Sequence, residues 1–411
     1  MTASLDATGR AEGCTWFTEP GPFGTAPLNA MWDLDVRSMV DAFAVGQVAG
    51  VGPVLLDWDG AVWSGIMSPS TDGLPGPFPA SGSNLQWRGV AALANGEVWA
   101  MGSGSSPWPS IVVGWPIVGR WTGSGWADVQ QIDLGLQPEH PFTPIGGILE
   151  GGASSPDGDA WAFGTANAGN GGPGIANVLT VHYDAGDWNV VPFPIGFTRV
   201  NVPGDILAFG SDDAWLVGYG DSTSPFYPII AHWDGSEWSS VETPIAGLAQ
   251  HMPAAIAATG PEDIWIGGEL PSGALFMHFD GDTWTLFPSP IATTARIRAM
   301  AALAPDNVWA WSNTGGAFHF DGVTWSAATI PAPDGAITRS YTQMAPIPGA
   351  NAMWAVGAYS TAAGANALLQ RLECGVFGDL DGDGVVGGGD LGILLANWSG
   401  AGAGDLDGSG T

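Results

Sequence analysis

The chain contains no lysine. Its nine basic residues are all arginine and face forty Asp and Glu, for a formal charge of −31. So few cations cannot neutralise a run of phosphates, which excludes a nucleic-acid partner. The same balance repels anionic membrane surfaces. No apolar stretch reaches the roughly 18 residues of a spanning helix, so no membrane span is read. The start, MTASLDATGRAEGC, has no apolar core of the signal-peptide kind. Gly-x-Ser-x-Gly, His-Glu-x-x-His and clustered Cys/His sites are all missing, so no catalytic motif marks the chain as an enzyme. Cysteine occurs only at Cys14 and Cys374, and tyrosine five times.

Glycine, proline and tryptophan are plentiful: 64, 32 and 22 residues, the composition of a turn-rich, aromatic-cored chain. One pattern recurs seven times, a small acid-rich turn followed by a strand like Trp-Ala-Val-Gly. Its anchor aromatics are Phe43, Trp99, Trp161, Trp215, Trp265, Trp309 and Trp354, spaced 44 to 62 residues apart. A period of about 40–50 residues with four short apolar stretches per unit is the signature of a β-propeller blade. The expected fold is therefore all-β, a seven-bladed propeller of four-stranded blades over residues 1–374, followed by a small loop-helix segment over 375–411.

A second element lies between the anchors, as in HWDGSEW at His232–Trp238. Asp-Gly between apolar runs is a hairpin signal, because glycine accepts the positive φ of a primed turn. Six such hairpins are complete. The seventh is split: Gln370–Cys374 matches its first half and Glu12–Trp16 its second. The last blade should therefore borrow its outermost strand from the N-terminus and close the ring. The two cysteines flank that join, so a Cys14–Cys374 disulfide is expected, and with it an oxidising, extracellular or cell-surface location.

After Glu373 the composition changes. In DLDGDGVVGGGD, Asp379, Asp381 and Asp383 occupy positions 1, 3 and 5 of a calcium loop, with Gly384 at the sharp turn. Val385 offers its carbonyl at position 7 and Asp390 a carboxylate at position 12. This spacing turns alternate oxygens onto one Ca2+ ion. Leu391, Leu394, Leu395 and Trp398 then recur at helical spacing.

This segment resembles a type I dockerin, the calcium module that docks secreted enzymes onto cohesin domains; its loop ends in Asp, as dockerin loops do. The resemblance implies attachment to a cohesin-like or cell-surface protein. The chain departs from the family in three places. Its second loop, from Asp405, stops at position 7. Gly388 and Gly389 stand where the family carries Ser/Thr-like recognition residues, and Leu395 and Ala396 replace its basic pair. The main body resembles secreted bacterial Kelch-like and sialidase-like propellers loosely.

Repeat-matched residues are read as architecture. His182, His232, His278 and His319 share one position on four blades and are assigned to stacking at the turn. Asp59, Asp184, Asp234, Asp280 and Asp321 are assigned to capping it. Function is sought where the repeats differ, at the start of each innermost strand, around one mouth of the axial channel. Arg88, Arg199, His251, Arg296, Arg298, Arg339 and Tyr341 fall there, with Trp32, Trp87, Asn201, His140 and Thr143. Arginine forks bind carboxylates and sulfates, and aromatic faces stack on sugars. Two readings follow. The chain is a monomeric ligand- or partner-binding module with a calcium-binding tail for attachment. The alternative is a polysaccharide-active hydrolase or lyase using that mouth, with an anionic polysaccharide as its partner. A carboxylate pair facing the arginines would favour the enzyme.

Overall fold

The computed structural model describes residues 14–23, 28–69, 85–107, 112–134, 146–167, 176–194, 200–221 and 225–375, together with 388, 391 and 392. Asp379, Asp381, Asp383, Val385 and Asp390 lie outside the described residues, as do Arg199, His140 and Thr143. Seven antiparallel blades of four strands are arranged in a ring. The first comprises Leu28–Ser38, Asp41–Val48, Gly52–Trp58 and Trp63–Met67, from the axis outward. The innermost strands of blades two to seven are Gln86–Ala92, Gly147–Ser154, Val200–Gly210, Met252–Gly260, Ile297–Ala304 and Thr338–Pro346. The face where these strands begin is called the upper face below. A single parallel pairing, Ala176 with Val200, links blades three and four edge to edge.

The seventh blade closes as the split hairpin requires. Cys14–Thr18 pairs with Gly364–Cys374, and Cys14 lies directly opposite Cys374, to which it is disulfide-bonded across 360 residues. Closing so long a loop restricts the unfolded chain by on the order of 5 kcal/mol in the loop-entropy treatment.

Each pair of neighbouring blades encloses its own apolar cluster. Blades three and four enclose Trp161, Ile206, Leu216, Trp233 and Trp238; blades one and seven enclose Trp58, Trp63 and Trp354. The anchor Trp161 is fully buried and meets Trp233 and Trp238 edge-on, with ring centroids 5.5 and 5.4 Å away. Such pairs add about 0.5–1.5 kcal/mol beyond the area they bury.

Every innermost strand carries a β-bulge at one equivalent place, for example between Met31 and Asp33 and between Pro203 and Asp205. The bulge explains the last letter of the Trp-Ala-Val-Gly motif. It presses an inner-strand carbonyl against the second strand, where a side chain on Gly102 would overlap the Gln86 oxygen and one on Gly357 the Ser340 oxygen. Only glycine leaves room for that approach.

The four repeat histidines sit as expected. His182 stacks on Trp161 at 4.2 Å and His278 on Trp265 at 4.1 Å, while His232 and His319 lie tilted against Trp215 and Trp309. Their Nε2 atoms face Asp159, Asp263, Asp213 and Asn307 of the acid-rich turns. Asp59, Asp234, Asp280 and Asp321 accept backbone N–H groups two and three residues on. Asp184 differs. Ala185, at φ 53°, stands where the other copies carry glycine and makes a two-residue turn with Gly186, and Asp184 becomes a ladder residue opposite Asp187.

Candidate functional site

The bulges place one unpaired residue per blade at the top of the axial channel: Trp32, Arg88, Glu150, Gly204, Ala254, Arg298 and Thr342. Gly204, Ala254, Arg298 and Thr342, on blades four to seven, line one pit of about 350 Å³. Gly204 and Ala254 leave it open because they are small. A side chain on Gly204 would lie 2.7 Å from the Ala254 Cα.

The arginines around this mouth fall into two kinds. Three are laid on aromatic rings. Arg88 covers Trp32 at 4.0 Å, Arg296 covers Tyr219 at 4.8 Å, and Arg339 covers Trp311 at 5.0 Å. Arg296 is further fixed by Glu269 at 3.1 Å and by the Tyr219 hydroxyl at 2.9 Å. Arg298 is the other kind. It is exposed, and among the described residues nothing ion-pairs with it or accepts its hydrogen bonds. Desolvation in the concave wall, and then the charge of Arg296, hold its guanidinium below the ordinary value. An accessible yet desolvated cation is primed to gain from an anion.

Other expected mouth residues are placed elsewhere. Trp87 is buried between blades, where it stacks on Trp126 and donates its indole N–H to Ser68. Trp32 has its face covered by Arg88. Tyr341 borders the pit, but its ring is buried against Trp311 and its hydroxyl donates to Gln370. His251 holds the Ala249 carbonyl. The arginines do not pair with Asp33. Glu150 faces Arg88 across the third blade's bulge, and burial raises its pKa against the pull of that cation. Glu150 and Glu269 do not make a catalytic pair, since Glu269 is bound to Arg296.

Below the bulges, sequence reasoning missed a set of carboxylates. Asp33 accepts the N–H of Leu34 at 2.9 Å and that of Val90, on the next blade, at 3.0 Å. Asp205 does the same for Ile206 at 3.0 Å and Ile256 at 3.1 Å, and Asp35 for Val36 and Ala92, both at 2.8 Å. Each carboxylate thus latches one blade's inner edge to the next. Burial pushes Asp33 up to about 8 and Asp205 to about 7, although the backbone donors pull the other way. Gln343 of blade seven reaches Asp205 of blade four, across the ring. Under that contact the channel widens into a lower cup of about 990 Å³, lined by Asp35, Arg37, Ala94, Ser154 and Pro348 among others. A repeat-position scan would have found the latches. Asp33 and Asp205 each stand ten residues before their anchors, where Gly89, Gly151, Ala255 and Ala299 stand in four other blades.

No group of three or more His, Cys, Asp or Glu among the described residues is placed to hold a metal ion, and no described helix is long and apolar enough to cross a membrane.

No protein-family model matches the chain, and no curated protein matches it in sequence. Its likenesses are to solved structures. YCF48 bound to a D1 peptide is 17% identical with a TM-score of 0.52, covering 91% of this chain and 99% of that one. YCF48 from Cyanidioschyzon merolae is 15% identical with a TM-score of 0.52, covering 87% and 98%. A Trypanosoma rangeli sialidase in complex with 2,3-difluorosialic acid is 10% identical with a TM-score of 0.50; the match covers 97% of this chain and 62% of the sialidase. At these identities the likeness is one of fold, and the chain is a seven-bladed β-propeller.

Proposed function

We propose that the chain is a secreted or cell-surface binding module that holds a ligand or partner at its upper mouth and is attached through a calcium-binding tail. Arg298 carries the reading: an accessible, desolvated arginine without a partner among the described residues, at the wall of a small pit. The other described mouth arginines are laid on rings or bound to acids, so among the described residues Arg298 is the charge left for a ligand. A polysaccharide-active enzyme would need two carboxylates flanking a bond. Among the described mouth residues Glu150 alone is free to serve, so binding is the better-supported reading. The YCF48 likeness, to a propeller holding a peptide, is compatible with it.

The Cys14–Cys374 bond supports an oxidising location. In the tail, Asp379, Asp381, Asp383, the Val385 carbonyl and Asp390 would hold one Ca2+, ordering the loop and the helix after it. A cohesin-like or cell-surface protein is the attachment partner that the dockerin resemblance suggests.

A peptide library and a glycan array probed with the full chain, beside a reducing-sugar release assay, test the mouth. Binding that Arg298→Gln abolishes is expected. Equal binding by that variant would sink the reading, and sugar release would replace it with the enzyme. Calorimetry should find one calcium site, abolished by Asp383→Ala; a stoichiometry of two would misplace it.

A further inference from the structure

We propose that the pit beside Arg298 takes the C-terminal carboxylate of a peptide chain. The inference deepens the binding reading given above and rests on it. Three observations select this ligand.

The first is shape. The pit of about 350 Å³ is walled by the innermost strands of blades four to seven, and Gln343 meets Asp205 across the ring one residue below the bulges. A small pit with that contact beneath it suits the end of a chain, whereas a segment passing through needs an open groove. Its volume is at the small end of ligand sites and suits about one residue.

The second is charge. Arg296 and Arg298 line the pit, and Glu269 neutralises Arg296. Among the described residues lining the pit one positive charge is left, which matches a carboxylate better than a dianion. Asn313 and Ser340 add neutral polar groups, and Val202, Pro203 and Ala254 an apolar wall for a side chain. The remainder of the protein is strongly acidic, at −31. A polyanionic chain laid over the mouth would be repelled by that field. A peptide terminus carries its single carboxylate whatever the net charge of the partner.

The third is the state of the aromatic rings. A sugar-binding mouth offers bare faces for stacking. Here Trp32, Tyr219 and Trp311 are each covered by an arginine. Among the described residues the surface is therefore short of platforms for a glycan and retains one fork for a carboxylate.

The test uses the full chain, disulfide intact, and two fluorescein-labelled hexapeptide libraries randomised at their last three positions. One ends in a free acid and the other in a C-terminal amide; oligogalacturonate serves as the polyanionic sugar. Fluorescence polarisation should show the free-acid library binding about ten- to a hundredfold more tightly than the amide, the worth of one charge-assisted contact. Arg298→Gln should remove that difference. Because the acid-to-amide comparison is made on the wild-type protein, it does not depend on how the variant folds. Equal binding of both libraries, still abolished by Arg298→Gln, overturns the terminal-carboxylate assignment and leaves the mouth reading standing. Preference for oligogalacturonate overturns it in favour of a glycan. Failure of every probe overturns both.

Discussion

The axial channel has two halves, and they use ionisable groups in opposite ways. In the lower half, Asp33, Asp35 and Asp205 are buried and bonded to backbone N–H groups of their own and the next blade. In the upper half, Arg298 stands accessible with no partner among the described residues. A carboxyl group saturated by backbone donors holds the ring together; a cation left unsaturated can act on something outside it. Asp33 and Asp205 directly follow the bulge residues Trp32 and Gly204, so on those two strands a single step separates the halves. Polar residues at a channel thus divide by what already satisfies them rather than by residue type.

Removing the ring closure sets the scale for any test of that division. Cys14→Ser with Cys374→Ser should lower stability by about 3–5 kcal/mol, read from urea midpoints. A loss below about 1 kcal/mol would mean that pairing of the N-terminal strand closes the blade unaided. Next comes the lower half. Asp205→Ala leaves the N–H groups of Ile206 and Ile256 without their acceptor and should be destabilising by about 2–4 kcal/mol. A neutral outcome would show that water replaces the latch and that the halves do not differ as described.

The pH dependence sharpens the comparison. Asp33 and Asp205 have pKa values raised above the unfolded value, to about 8 and about 7. Their protonated forms are favoured in the fold, so stability falls as pH rises from about 4 through those values. The turn carboxylate Asp234 is shifted the other way, to about 2 by bonds from Ser236 and Glu237. Its contribution is present above about pH 4 and is lost as pH falls towards 2. Stability should therefore peak on the acid side of neutrality, and Asp33→Asn should flatten the decline between about pH 5 and 8. A profile that rises across that interval would mean that the latches are ionised in the fold. The smallest effect belongs to the upper half: Arg298→Gln should change stability by less than about 0.5 kcal/mol while abolishing ligand binding. A larger loss would make Arg298 a structural arginine like Arg296.

Much of the ring was legible because its repeats are marked by residues with one job each. The anchor tryptophans, the Asp-Gly turns and the two cysteines fixed blade number, hairpins and closure. The mouth was legible only as a region. Arg88, Arg296 and Arg339 look like Arg298 in sequence, since a ring such as Trp32 or Trp311 becomes a partner only through the packing of adjacent blades. Trp87 was misplaced for the same reason: a tryptophan near the strand start lies between blades when its neighbour at the bulge faces the mouth. The latches were hidden because the donors that hold each Asp are mainly backbone N–H groups of the next blade, which no residue type in the sequence marks. Ala185 in place of the turn glycine was visible, yet its effect on Asp184 depends on which turn closes the hairpin.

The Cys14–Cys374 bond has a mechanical consequence. It turns the 360-residue span between them into a covalent loop. Tension applied between the chain before Cys14 and the tail after Cys374 passes through two side chains and one sulfur–sulfur bond, and the blades lie outside the load path. A pull exerted from the upper mouth takes another route, through the inner strands and across the propeller. A molecule held by its tail would thus bear tension at its N-terminus without strain on the ring, while a ligand in the mouth would load the blades themselves.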